Sequence, residues 1–386
     1  MAAGPPSSPR RRTGGRSSAR RRPASRSEGP PASDLPAAPA PARGGRPPDD
    51  GRKHLNLALQ GGGAHGALTW GVLDRLLADE RIAIDGITGT SAGAMNAAAL
   101  VSGYAEAGAC GARARLELFW SEVSRLARGS VMQRTPLDWF VGSYGLDASP
   151  AYLAFDVLTR FVAPVAFNPL GYNPLRDVVA RTIDFSHLRA CTRIKLFVAA
   201  TNVRSGKVRV FRTSEVTLDA VMASACLPQL FAPVEIDGEA YWDGGFMGNP
   251  PLFPLFYETD TPDTVLVQIN PVWRAELPRT GRDIVNRVNE ITFNSSLLRE
   301  LRAVHFVTRL IEDGKLDPAE YMRVRMHRIS TANGLEGLSA SSKYNAEWRF
   351  LTHLRDVGRA AADRWLAENF EAIGVRDTLD LAAEIA

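Results

Sequence analysis

The sequence predicts an α/β fold: a largely parallel sheet with helices on both faces. Three observations predict it. Short apolar, β-rich runs alternate with stretches of helical period over residues 54–386. Two glycine turns, Gly61-Gly62-Gly63-Ala64-His65-Gly66 and Gly89-Thr90-Ser91-Ala92-Gly93, lie one helix-and-strand unit apart, each where a strand passes into a helix. Hydrophobic residues make up 45% of the 386, enough to bury one large α/β domain or two smaller ones.

Leu55–Gln60 reads as a buried first strand. From Gly66 to Glu80, the apolar positions Leu68, Val72, Leu73, Leu76 and Leu77 repeat with a helical period. Arg81–Ile87 is short and β-rich, and the small-residue helix from Ala94 to Val101 follows the serine turn. Residues 104–190 are aromatic-rich and less regular, with Phe119, Trp120, Trp139, Phe140, Tyr144, Tyr152, Phe155 and Phe161. This pattern predicts an inserted helical region, serving either as a lid or acyl-chain pocket or as more core. Ile194–Ala200 is a strand, and Lys207–Thr213 pairs with it after the turn Arg204-Ser205-Gly206-Lys207. Leu218–Cys226 is a helix stopped by Pro228, and Val234–Ile236 and Ala240–Trp242 flank the hairpin signal Asp237-Gly238. Thr264–Ile269 is a buried strand, Asp283–Ile311 a long helix, Tyr321–Ile329 a strand and Tyr344–Phe370 a final amphipathic helix. The domain boundaries expected are a tail over 1–53, a catalytic domain over 54–270 with its insert at 104–190, and a mainly helical region over 271–386 packed on the same domain.

Charge is unevenly distributed. Residues 1–53 carry 12 Arg and Lys against 4 Asp and Glu, whereas the whole chain stands at +4, so the remainder is −4. The first 53 residues are rich in Pro, Ala, Ser, Gly and Arg, and they lack the apolar side chains that offset ordering entropy, so a disordered tail is expected. Its charge suits anionic lipid or nucleic acid at roughly 1 kcal/mol per near-surface residue, the alternative being a solvated tail. With the net positive charge confined to the tail and the remainder at −4, no nucleic-acid partner is expected. The tail has no apolar h-region of a secretory signal, and no run of ~18 apolar residues predicts a membrane span. Cys110, Cys191 and Cys226 are widely spaced, as expected for buried reduced thiols and unlike a disulfide framework or zinc site. A cytoplasmic protein in peripheral contact with membrane is the expectation, with neither metal nor cofactor.

Gly89-Thr90-Ser91-Ala92-Gly93 has the form G-x-S-x-G. Small residues on each side let a strand turn sharply into a helix, so that a serine Oγ stands clear at the sheet edge. The helix N-terminus behind it favours developing negative charge. A serine hydroxyl is a weak nucleophile until a base takes its proton. Acyl transfer also needs N–H donors for the oxyanion, and the candidates are Gly61, Gly62 and Gly63, whose N–H groups the first turn exposes, together with Gly66, where the next helix starts and adds its dipole. A candidate base stands in Trp242-Asp243-Gly244-Gly245, where two glycines turn the chain away from the carboxylate.

Gly61-Gly62-Gly63-x-x-Gly66, Gly89-x-Ser91-x-Gly93 and Asp243-Gly244-Gly245 match, in order, the three signatures of patatin-like phospholipases, and the chain resembles that family over roughly residues 55–255. The resemblance implies a three-layer α/β/α fold with a mostly parallel sheet. It implies Ser91 as nucleophile and Asp243 as its base in a dyad without histidine. It further implies Gly62 and Gly63, with neighbouring amides, as the oxyanion hole, and a lipid or other acyl ester as substrate. The chain departs from the family pattern at His65, where the glycine loop often carries Arg or Lys, so no fixed cation is expected there. His65 is a candidate for contact with substrate head groups, the alternative being a solvent-facing loop side chain.

Three other readings compete. Gly61-x-Gly63-x-x-Gly66 also fits a dinucleotide fingerprint, with Asp85 placed 19 residues beyond Gly66. A Ser-His-Asp hydrolase would draw its histidine from His305, His327 or His353, while His54 and His187 carry no motif. A non-catalytic lipid- or partner-binding protein on the same fold is the third.

Overall fold

The computed structural model describes residues 1, 4, 50–130, 132–140, 143–330 and 338–385. The expected tail over 1–53 lies outside these residues except for Met1, Gly4 and 50–53. Residues from Asp50 onward belong to a unit that spans Ala40–Ala386.

Five parallel strands carry the architecture. β1 (Lys53–Leu59) lies between β2 (Ile82–Gly89) and β7 (Asp263–Gln268). β2 also pairs with β3 (Lys195–Asn202), and β7 with β8 (Arg325–Ser330). β4 (Val208–Arg212), β5 (Val234–Ile236) and β6 (Glu239–Asp243) are antiparallel, β4 and β6 both pairing with β3. The order β5-β6-β3-β2-β1-β7-β8 sets β1 and β2 side by side, so the turns that follow them are neighbours at the carboxyl edge. The β5–β6 turn holds Asp237 and Gly238 at φ 52° and 79°, as the dipeptide signals for a type I′ hairpin.

Helices cover both faces. On one lie α1 (Gly66–Leu77), α2 (Ala92–Ala127), α8 (Leu218–Ser224) and α11 (Trp348–Asn369), packed with Leu55, Leu57 and Leu59 of β1. On the other lie α9 (Phe253–Glu258), α10 (Gly281–Glu312) and α12 (Leu381–Ile385), packed with Ala58, Phe197, Leu266 and Met326. Alternate residues of one buried strand therefore serve two cores, each fully buried leucine contributing roughly 1.5–3 kcal/mol. Asn56 is a fully buried polar residue within the apolar run of β1, and it donates to Thr259 Oγ1 at 2.8 Å and to the Thr261 carbonyl at 2.7 Å.

The insert is helical: the second half of α2, then α3 (Pro136–Phe140), α4 (Pro150–Phe161), α5 (Pro164–Phe167), α6 (Pro174–Thr182) and α7 (Phe185–Ala190). α2 breaks at Ala107–Gly108 and folds back, so that Trp120 Nε1 donates to Asn96 Oδ1 at 2.9 Å. Of its aromatics, Phe119, Trp120 and Tyr152 are buried and serve as core, while Phe140 and Phe161 are exposed. Cys226 is buried, but Cys110 is exposed, contrary to expectation.

Two elements start later than their sequence patterns. β8 begins at Arg325, where its N–H first joins the ladder through the Pro262 carbonyl. α11 begins at Trp348, because Ala340–Tyr344 forms a separate 3-10 turn.

A buried ionic cluster ties β7 to β8 and to the chain's last segment. Asp263 accepts from Arg325 at 2.6 Å, from His327 Nε2 at 3.0 Å and from the Gly374 N–H at 3.0 Å. Burial pushes the Asp263 carboxyl up, but these donors outweigh it and hold the group below the usual carboxylate range. Asp263→Ala leaves Arg325 and His327 without their anion, and we expect a loss of about 3–5 kcal/mol in urea unfolding at neutral pH. A loss under 1 kcal/mol would show that the cluster does not hold the edge of the sheet.

Candidate active site

Ser91 sits between β2 and α2 at φ 56° and ψ −123°, a left-handed conformation that costs a non-glycine residue on the order of 1–3 kcal/mol. Gly89 closes β2 and Gly93 lies in the first turn of α2. The turn is fixed from outside. The Ser91 N–H donates to Ser224 Oγ at 2.9 Å, and Thr90 Oγ1 donates to the Gly248 carbonyl at 2.7 Å.

Asp243 ends β6, opposite Ala200 of β3, and is 3% exposed. Its N–H donates to the Cys226 carbonyl at 2.8 Å, and its carbonyl accepts from Thr201 Oγ1 at 2.8 Å. Its carboxylate accepts from the Gly245 N–H at 2.7 Å and from the Ser91 hydroxyl. Burial pushes the carboxyl up to about 6, against the pull of those two donors. Gly244 and Gly245 form the turn that follows, against which α10 sets Phe293, 5.2 Å from Phe246 between ring centres.

The glycine loop lies directly on the serine. A Cβ on Gly61 would fall 2.7 Å from Ser91 Cβ, so the close approach requires glycine. The four glycines then part company. The Gly61 N–H is taken by Asn249 Oδ1 at 2.8 Å, and the Gly66 N–H by the carbonyls of Ala64 and Gly63. Neither amide is open to an oxyanion, which corrects the expectation for those two positions. Among the described residues, the N–H groups of Gly62, Gly63 and Ala92 have no acceptor.

His65 corrects both expectations for it. It is buried, with Nε2 2.7 Å from Ser342 Oγ and its ring edge towards Phe350 at 6.2 Å. The Ser342 hydroxyl is itself donated to the Ser339 carbonyl at 2.6 Å, so Nε2 carries the proton. Burial, reinforced by Lys343 and Arg274, pushes the imidazole down to about 3, leaving it neutral. It anchors the loop to the turn before α11 and faces neither substrate nor solvent.

The competing site residues lie elsewhere. Asp85 is mid-strand in β2 and is held by His54 Nδ1 at 2.9 Å and by Thr261, away from the strand end where a ribose would bind. His327 belongs to the Asp263 cluster, and His353 stacks on Tyr144 at 5.4 Å. Among the described residues no histidine bonds Ser91 or Asp243.

Sequence reasoning missed the residues that hold the loops. Gln60 Oε1 accepts the N–H groups of Ile269 and Asn270, each at 2.9 Å, and Gln60 Nε2 donates to Asn294 Oδ1 of α10 at 3.2 Å. Asn270 Nδ2 donates to the Gly61 carbonyl at 2.7 Å. A polar residue just past a buried strand, at the carboxyl edge beside β1, was a signal that would have found Asn270.

The sequence profile of the patatin-like phospholipase family matches residues 57–256, and the chain belongs to that family. Its class is that of lipid acyl hydrolases. Three solved structures are similar. VipD from Legionella pneumophila is 14% identical, with 81% of this chain and 67% of that chain covered and a TM-score of 0.35. The type III effector ExoU is 15% identical, with 81% and 53% covered at 0.26. Full-length ExoU from Pseudomonas aeruginosa, solved with SpcU, is 15% identical, with 87% and 76% covered at 0.26. No curated protein sequence matches the chain. No helix among the described residues is long and apolar enough to cross a membrane.

A buried carboxyl raised to about 6 opposes folding wherever the unfolded chain would ionise freely: from pH about 4 upward, and fully above about 6. Asp243→Asn removes that charge and keeps an acceptor for Gly245. We expect it to stabilise the protein by about 1–3 kcal/mol at pH 8, with the gain vanishing near pH 4, measured by urea unfolding. Equal or lower stability at pH 8 would contradict the placement of an uncompensated charge at Asp243.

Proposed function

We propose that the protein is a serine acyl hydrolase that cleaves lipid carboxylic esters through a Ser91–Asp243 dyad and an acyl-enzyme intermediate. One observation carries this reading. A serine held in a strained strand-to-helix turn donates its hydroxyl to a buried carboxylate raised to about 6. At neutral pH that carboxylate is ionised and is a stronger base than an ordinary aspartate. It takes the Ser91 proton as Oγ attacks the ester carbonyl. The oxyanion is held by the open amides of Gly62, Gly63 and Ala92. As the ester C–O bond breaks, the proton passes from Asp243 to the leaving alkoxide. Water, deprotonated in turn by Asp243, then attacks the acyl carbon; the bond to Ser91 Oγ breaks, Oγ takes that proton back and the fatty acid is released.

Contact with a lipid surface fits this reading. α4 sets Tyr152 and Phe155 against Tyr344, 6.0 and 6.4 Å between ring centres, at the end of the turn that meets the glycine loop. From there the chain exposes Phe161 at 83% and Leu170 at 92%. Single exposed apolar residues are ordinary, but a run of them beside a lipid site suits an interfacial enzyme.

Ser91→Ala and Asp243→Asn should each lower hydrolysis of a p-nitrophenyl acyl ester by on the order of a thousandfold or more, with the fold intact by circular dichroism. Mass spectrometry of products from a mixed lipid extract, wild type against Ser91→Ala, names the ester class. Turnover within tenfold of wild type in either variant would sink the dyad.

A further inference from the structure

The buried neutral His65 supplies no charge to the glycine loop, yet a cation reaches the loop from outside the family's signatures. Lys343 lies in the 3-10 turn Ala340–Tyr344. Gly63, at φ +58°, packs so closely on this turn that a Cβ there would fall 2.6 Å from the Lys343 carbonyl oxygen. Lys343 Nζ donates to Asn270 Oδ1 at 3.1 Å, and Asn270 Nδ2 donates to the Gly61 carbonyl at 2.7 Å. That carbonyl and the open Gly62 N–H belong to one peptide unit. The unit is held at its approach as well, because Asn249 takes the Gly61 N–H and Gln60 takes the Asn270 N–H.

Every dipole in this chain points the same way: ammonium to amide oxygen, amide N–H to peptide carbonyl, peptide N–H outward. Hydrogen bonds in series polarise one another, and a full charge at one end strengthens the donor at the other. The ammonium is also short of partners. It has three donors. Among the described residues it has one acceptor and no carboxylate within ion-pair distance, because Glu290 is held by Arg274 at 2.5 Å and Arg287 at 3.2 Å. Desolvation pushes Lys343 down, Glu290 works against this and Arg274 with it. A partly desolvated cation with an incomplete set of partners is costly in the resting protein, and a negative charge forming at the far end of the relay would offset that cost.

We propose that Lys343 is a positioning residue for acyl transfer: acting through Asn270, it polarises the Gly61–Gly62 peptide and strengthens the Gly62 N–H as an oxyanion donor. This assignment rests on the hydrolase reading above.

The test is steady-state kinetics of the full chain on p-nitrophenyl butyrate, with thermal unfolding of each variant in parallel. Lys343→Met should lower kcat about tenfold with KM unchanged, less than the loss of a whole oxyanion donor because the donor itself remains. Lys343→Gln keeps a donor to Asn270 without the charge and should fall with the Met variant, whereas Lys343→Arg should recover most of kcat. If the relay runs through Asn270, the double variant Asn270→Ala/Lys343→Met is no slower than the slower single variant. Wild-type kcat in the Gln variant, multiplicative losses in the double variant, or a loss that follows melting temperature and is not recovered by Arg would each overturn the assignment while leaving the hydrolase reading in place. Absence of Ser91-dependent turnover in the wild type would overturn both.

Discussion

The Asp243 carboxylate has a backbone N–H and a serine hydroxyl as its hydrogen-bond donors, and among the described residues no cation pairs with it. It is almost wholly buried, so the charge is poorly solvated and its pKa rises to about 6. An aspartate with a salt bridge would be a weaker base, and one open to water would hold the serine loosely. On the proposed reading the isolation of this one charge is what activates the Ser91 hydroxyl, and it requires a scaffold that brings two points 152 residues apart together and keeps them there. The parallel β2 supplies the serine and the antiparallel β6 the carboxylate, both joined to β3.

That arrangement stores free energy. With its carboxyl raised by burial to about 6, ionised Asp243 costs about 3 kcal/mol, and the left-handed Ser91 adds on the order of 1–3 kcal/mol. Neither persists unless the surroundings over-determine it. They do so through polar side chains aimed at backbone: Ser224 on the Ser91 N–H, Thr90 on Gly248, Thr201 on the Asp243 carbonyl, and Asn249 on the Gly61 N–H. The glycine loop is further gripped by elements beyond the family match. His65 bonds Ser342, and Gln60 and Asn270 bridge the loop to α10 and the end of β7. The carboxyl-terminal third, which has no motif, thus builds one wall of the site.

The central architecture was legible because its signals are local. Leu55–Gln60 is apolar enough to be a buried strand wherever it occurs, and Asp237-Gly238 specifies its turn by its own backbone preferences. The three glycine signatures were legible because each marks a backbone that must approach another closely. What stayed hidden depends on the partner a residue meets. Nothing in the sequence shows that Gly61 gives its N–H to Asn249, or that His65 is packed under Phe350 with its ring nitrogen on Ser342. Lys343 is one of five lysines and stands in no pattern, so its tie to the glycine loop comes only from the fold. The later starts of β8 and α11 have the same origin, for an apolar run shows where a strand or helix is possible, and the ladder partner decides where it begins.

The most direct measurement of the account is the rate at which a fluorophosphonate labels the protein as a function of pH, with the modified residue located by peptide mass spectrometry. The reagent reacts with an activated serine and needs neither lipid recognition nor deacylation. The account predicts a single adduct on Ser91, formed at a rate that rises through one ionisation near pH 6 and levels off above it, with Asp243→Asn removing both the rate and its pH dependence. Labelling on another residue, or a rate on Ser91 that is indifferent to Asp243 and flat across pH 5–7, would contradict it.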